Sequence, residues 1–283
     1  MNEINGIIPV YKEKGMTSFD VVRKIKKIFK TNKVGHTGTL DPLAEGVLLV
    51  CIGKATKIVE LLTSNEKEYI ATVKLGIETD TLDIEGNILK EEKIPDELNI
   101  EEVISSYNNK TYNQEVPKFS AIKVNGKKLY EYARNNIEVE LPKKEVTIKS
   151  IELLESTKDT FKIKTLVTKG TYIRSLIRDI CKDLNTIGTM TELLRTKQGK
   201  VELKECYKLK NIENNNYKLF TIEEVLPYNI IEVDEDTKTK ISHGIKIDNI
   251  YNVTDRVIFK YKEELLGIYE TEKDKLKVWK NFI

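Results

Sequence analysis

Apolar residues along this 283-residue chain change their spacing several times, and each change marks an element. Val21, Val22, Ile25, Ile28 and Phe29 recur at three-to-four spacing, which predicts a helix over 18–30 with Ser18 as its cap and Arg23, Lys26, Lys27 and Lys30 turned outward. From Gly46 to Gly53 the chain is apolar without a break, short and bounded by glycines, the pattern of a strand buried on both faces. Ala55, Ile58, Val59 and Leu62 then predict a short helix. Alternation returns at Tyr69, Ala71, Val73 and Leu75 and again at Phe161, Ile163, Thr165 and Val167, so half-buried strands are expected there. Over 171–185, Ile173, Leu176, Ile177, Ile180, Cys181 and Leu184 form one helical stripe, with Arg174, Arg178 and Lys182 as a basic ridge on another face. An asparagine-rich stretch at 211–218 interrupts the periodicity, and a last helix at 221–226 stops before Pro227. The remainder reads as strands at 256–261, 265–269 and 276–279. A boundary near residue 229 follows, and the last 55 or so residues are too few for much stability of their own, so they are expected to dock onto the larger unit.

Composition narrows the class. Hydrophobic residues at 40% and charged residues at 33% suit a soluble globular chain, and the longest apolar run, Val47 to Ile52, is far short of the roughly 18 residues of a membrane span. Residues 1–6 lack a basic region followed by an apolar stretch, so a cytoplasmic protein is expected. Cys51, Cys181 and Cys206 form no CxxC pair, and His36 and His243 are the only histidines, which argues against disulfides and a structural metal. The net charge is only +2, but it is segregated: a local +6 over 12–33, −5 over 85–102 and +5 over 162–182. Such segregation can build a basic face for phosphates while the total stays near neutral.

Residues 34–46 (Val-Gly-His-Thr-Gly-Thr-Leu-Asp-Pro-Leu-Ala-Glu-Gly) form a polar, glycine-punctuated loop feeding the most buried strand, the kind of place where chemistry is carried. Pro42 biases the backbone of Asp41 to an extended conformation, so its carboxylate projects. Other motifs fail. Gly53-Lys54-Ala55-Thr56 lacks the first glycine and the final hydroxyl position of a phosphate loop, where Leu48 and Ala55 stand. A calcium loop around Gly86 would start at Thr81 instead of an acid, so a polar turn between strands is expected there. No GxGxxG occurs.

Gly35 to Ala44 with Gly46-Val47-Leu48 resembles the catalytic loop of the TruB-type tRNA pseudouridine synthases, which act on uridine 55 in the T loop of tRNA. Further matches follow in order: Lys12 to Ser18, Gly53 to Lys57, Lys67-Glu68-Tyr69, Leu75-Gly76, Thr79-Asp80-Thr81, Gln114 to Arg134 and Lys169 to Arg174. The chain departs from the family's common Leu-Arg-Arg run at Leu193-Leu194-Arg195. The resemblance implies an α+β fold: a mixed-sheet catalytic domain (1–228) with a thumb insertion at about 110–145, and a small β-rich PUA-like C-terminal module (229–283). It implies an isomerisation needing no cofactor, with Asp41 as the catalytic carboxylate, Arg174 as its partner, and Tyr69 stacking on the flipped base and relaying its proton. Tyr172 and Leu193 then match pocket walls, His36 the residue that fills the vacated place in the RNA, and Lys57, Lys123 and Arg134 phosphate contacts. The expected partner is tRNA through its T stem-loop, with no membrane or metal, the enzyme acting as a monomer. A guide-RNA-dependent synthase shares the aspartate motif, and a non-catalytic tRNA-folding chaperone is a rival of another class.

Overall fold

The computed structural model describes residues 4–283; the reading of residues 1–6 as free of a leader rests partly on the first three, outside the described residues. Among the described residues, nine strands form one mixed sheet. They are β1 (Gly6–Lys12), β2 (Val34–His36), β3 (Glu45–Ile52), β4 (Lys67–Leu75), β7 (Lys110–Glu115), β10 (Lys143–Ser156), β11 (Thr160–Val167), β12 (Gly188–Gln198) and β13 (Val201–Glu202). The central order is β1-β3-β12-β4-β11-β10-β7, antiparallel throughout except where β12 runs parallel to β3. The expected buried strand is β3, whose alternate residues serve two cores. Val47, Leu49 and Cys51 face one, while Leu48, Val50 and Ile52 pack on α1 (Ser18–Phe29) in the other.

Gly46 is required where β3 meets β12: its φ is +103°, and a side chain there would collide with the Arg195 carbonyl, its partner in register. A third core lies under β4, β11 and β12, capped by α5 (Ile173–Asp183) and α3 (Ile100–Ser105). Short pieces complete the unit. They are a 3₁₀ turn at Gly53–Ile58, α2 (Val59–Ser64), a hairpin of β5 (Ile77–Thr79) and β6 (Ile88–Glu91), and α6 (Leu209–Glu213) and α7 (Ile222–Val225). The expected polar turn around Gly86 is the β5–β6 connection.

Two sequence expectations change. Thr17, not Ser18, caps α1: its Oγ1 accepts from the Asp20 N–H at 3.1 Å while the Asp20 carboxylate accepts from Thr17 N at 2.9 Å. The 110–145 thumb is also narrower, because β7 and the start of β10 pair with each other in the main sheet. Between those strands, 116–142 holds a small hairpin of β8 (Lys123–Val124) and β9 (Lys127–Lys128) followed by α4 (Leu129–Arg134).

A second sheet begins at Asn229, with β14 (Asn229–Glu232), β15 (Ile247–Asp248), β16 (Arg256–Tyr261), β17 (Glu264–Glu272) and β18 (Lys275–Asn281) in the order β14-β16-β17-β18-β15, and α8 (Glu235–Ser242) packed beside it. It docks as expected: Ile258, Ile268 and Phe282 share one apolar cluster with Ile7, Val47 and Leu49. No described helix is long and apolar enough to cross a membrane.

Candidate active site

Asp41 opens a tight turn in which its carbonyl accepts the Ala44 N–H at 3.1 Å, with Pro42 in the position that fixes φ for such turns. That leaves its side chain uncommitted. The loop is held from three sides. Buried Ser18 accepts from the Leu40 N–H at 2.8 Å and donates back to the Leu40 carbonyl at 3.2 Å, which is why it does not cap α1. Gly15 N–H donates to the Pro42 carbonyl at 2.9 Å. The Lys12 ammonium, wholly buried, donates to the Ala44 carbonyl at 2.6 Å. Lys12 therefore leaves the basic face counted over 12–33, while Lys24 and Lys27 on α1 and Lys30 at its C-cap remain exposed.

The Asp41 carboxylate, 35% exposed, meets Arg174 Nη2 at 2.9 Å, and the guanidinium is only 6% exposed. Arg174 stands at the second position of α5, whose N-terminal turn aims it at the loop. Its other donors are also occupied. Nη1 donates to the Thr81 carbonyl at 2.8 Å and lies 3.8 Å from the Asp83 carboxylate, while Nη2 donates to the Phe119 carbonyl at 3.1 Å. Asp83 is itself fixed by Thr81 Oγ1 (2.8 Å) and the Glu85 N–H (3.2 Å). One edge of Asp41 is thus pinned from behind while the carboxylate remains open to a ligand. The basic ridge thins accordingly: Arg174 faces inward and Arg178 pairs with Glu115 (3.1 Å) and Asp179 (2.8 Å), while Lys182 stays exposed.

Tyr69 and Leu193 lie on adjacent strands and are buried in the same cluster as Leu40, Leu43 and Ile173, which places both beside the loop. Tyr172 precedes α5, its N–H donating to Gln114 Oε1 at 2.8 Å; burial raises the pKa of its phenol, so the hydroxyl stays protonated. His36 ends β2, where burial first and Arg195 second push its pKa down, so the imidazole is neutral at pH 7. The remaining three candidates sit apart. Lys123 and Arg134 are exposed on the thumb, and Lys57 donates to the Asn281 carbonyl at 2.6 Å, at the joint with the second sheet.

The chain matches a family model described as TruB family pseudouridylate synthase (N terminal domain) over residues 26–173. It is 45% identical over 283 aligned residues to tRNA pseudouridine synthase B of Fusobacterium nucleatum, covering 96% of this chain and 98% of that protein. The chain belongs to the TruB family. This TruB-family chain is also 42% identical to tRNA pseudouridine synthase B of Clostridium tetani, across 95% of its length and 93% of that relative. Its fold is similar to that in the crystal structure of a Cbf5-Nop10-Gar1 complex, with a TM-score of 0.74 at 24% identity over 98% of this chain and 85% of that one.

Three residues around the Asp41 loop escape a sequence reading. Asp83 falls in the expected polar turn, although it lies two residues after the matched Thr79-Asp80-Thr81. Arg195, wholly buried, donates from Nε to the Val47 carbonyl at 2.6 Å and from Nη2 to the Gly38 carbonyl at 3.2 Å, with Nη1 3.5 Å from the Tyr69 hydroxyl. It braces strand, loop and tyrosine together, and its partners are two carbonyls and a phenol. Lys67, buried below the loop, donates to the Asn65 and Thr63 carbonyls at 2.7 and 2.9 Å.

This interior is positively charged, and burial lowers the pKa of both Lys12 and Lys67 to about 8. In the unfolded chain these lysines titrate near 10.5, so between about pH 8 and 10 the unfolded state holds more protons and the fold gains stability as pH rises. Lys67→Met is expected to flatten that rise by on the order of 2 kcal/mol, discounting the full shift. Urea unfolding at pH 7.5 and 9.5 checks it; equal slopes in both proteins would contradict the assignment.

Proposed function

We propose that this protein isomerises uridine to pseudouridine at position 55 in the T loop of tRNA. The observation that carries the reading is Asp41, whose carboxylate is held by Arg174 at 2.9 Å yet remains partly open, in a loop tied down by groups other than itself. The reaction breaks N1–C1′, turns the uracil over and joins C5 to C1′; C5 loses a proton and N1 gains one, so no redox step or energy source enters. It needs a carboxylate at the reacting centre, a dry pocket for the detached base and an acceptor for the C5 proton.

Asp41 fills the first role and Arg174 orients it. Tyr69 stacks on the extruded base and relays the proton, while Tyr172 and Leu193 close the pocket walls. A T-loop uridine is reached by extrusion at a cost of a few kcal/mol in stacking. His36 takes the vacated place; a neutral imidazole does so without burying a charge against the bases. Lys123 and Arg134 on the thumb contact phosphates, and Lys57 does so at the joint between the sheets. Residues 1–228 form the catalytic domain and 229–283 a PUA-like module that extends the RNA surface. Recognition then rests on loop shape and backbone charge.

The experiment is to incubate purified protein with magnesium-folded tRNA transcripts alone and map pseudouridine at single-nucleotide resolution. Modification confined to the T-loop uridine is expected. Modification only after a guide RNA is added, or none at all, would overturn the reading.

A further inference from the structure

Ser120 carries a hydroxyl that the fold buries beside the Tyr172 phenol without a well-formed hydrogen bond. The residue is 6% exposed. Buried polar groups are nearly always paired, and leaving one unpaired is unfavourable. Its position makes the vacancy informative. The carbonyl just before it, on Phe119, accepts from Arg174 Nη2 at 3.1 Å, the same nitrogen that holds Asp41. The Ser120 carbonyl accepts from the Tyr130 N–H at 3.1 Å and the Ile122 carbonyl from the Leu129 N–H at 2.8 Å, so this short segment is strapped to α4 of the thumb. The hydroxyl also lies near the Tyr172 phenol, where it offsets part of the upward push that burial exerts on that group. Ser120 thus stands where the thumb, Arg174 and Tyr172 converge.

We propose that Ser120 Oγ is a substrate contact, donating a hydrogen bond to a carbonyl of the extruded uracil. This rests on the function proposed above. The chemistry of the ring suits it. Turning uracil about its N3–C6 axis exchanges N1 with C5 and O2 with O4, so the imide edge presents acceptor, donor, acceptor both before and after rotation. A hydroxyl fixed beside that edge meets one carbonyl at the start and the other at the end, and holds the detached base without opposing its turn. The bond is offered from the root of the thumb, so it is complete only while the thumb is seated on Arg174.

The test is single-turnover pseudouridine formation at saturating tRNA with Ser120→Ala. A rate about tenfold lower is expected, the worth of one hydrogen bond between neutral groups. The tRNA dissociation constant should stay within twofold, and the thermal midpoint should hold or rise, since the lost hydroxyl makes no well-formed hydrogen bond. In a Tyr172→Phe background the same factor should persist. An unchanged rate in Ser120→Ala, a lowered midpoint accompanying the loss, or disappearance of the factor in Tyr172→Phe would each overturn the proposal. The first would leave the proposed function standing, because the wild-type enzyme in the same assay reports on that reading; a wild type that forms no pseudouridine would sink both.

Discussion

Asp41→Asn is expected to abolish tritium release from C5-labelled tRNA uridine while tRNA binding stays within about tenfold of the parent. The substitution is nearly isosteric. An asparagine oxygen can still accept from Arg174 Nη2, and the turn that presents residue 41 uses its backbone carbonyl, so the loop should keep its shape. What disappears is the negative charge of the carboxylate, and removing a group used only in the transition state is expected to cost more than about a thousandfold in rate. The thumb, the exposed lysines of α1 and the second sheet are untouched, which is why binding should survive. Release at a tenth of the parental rate or faster would show that another group does the chemistry.

The second large effect is expected at Arg174. Arg174→Lys keeps a positive charge but loses a fork whose donors meet the Thr81 carbonyl, the Phe119 carbonyl and the Asp41 carboxylate together, with Asp83 at 3.8 Å. A lysine has one nitrogen and cannot occupy those directions at once. Asp41 would lose its fixed orientation, and misplacement by about an ångström costs on the order of a hundredfold in rate. We expect the single-turnover rate to fall by about that factor or more, with tRNA affinity little changed because the guanidinium is nearly inaccessible to RNA. Asp83→Asn should lower the rate in the same direction by a smaller factor, since it acts through Arg174. If Arg174→Lys instead weakened binding in proportion to salt and left the rate alone, Arg174 would be a phosphate contact after all.

The position of Asp41 was legible because its signal is local: a proline directly after it, glycines around it and an unbroken apolar strand behind it all lie within a dozen residues. The roles of Asp41 and Arg174 both came from resemblance, and helical spacing alone assigned Arg174 to a surface ridge. The reason is physical. Periodicity tells which residues share a face of one element, not what that face meets, and here the loop of residues 79–85 and the Phe119 segment pack over the helix start and bury the guanidinium. The same blindness counted Lys12 among surface charges. A lysine at the end of a buried strand can thread its aliphatic stem through the core and deliver its ammonium to the Ala44 carbonyl. The pairing of β7 with β10 at the ends of the expected thumb left no clear signal, because a strand pairing only at the sheet edge has too exposed a pattern to be told from an insertion.

By itself the amino-acid sequence determined the run of elements, the mixed α+β class, the start of a second sheet at Asn229 and the loop that presents Asp41, because each follows from spacing within one short stretch or from ordered motifs. The tertiary structure alone decided which side chains brace that loop. Arg195 and Lys12 reach it from strands distant in the chain, with Asp83 behind Arg174, and pairing between distant segments leaves no periodic trace in any one of them.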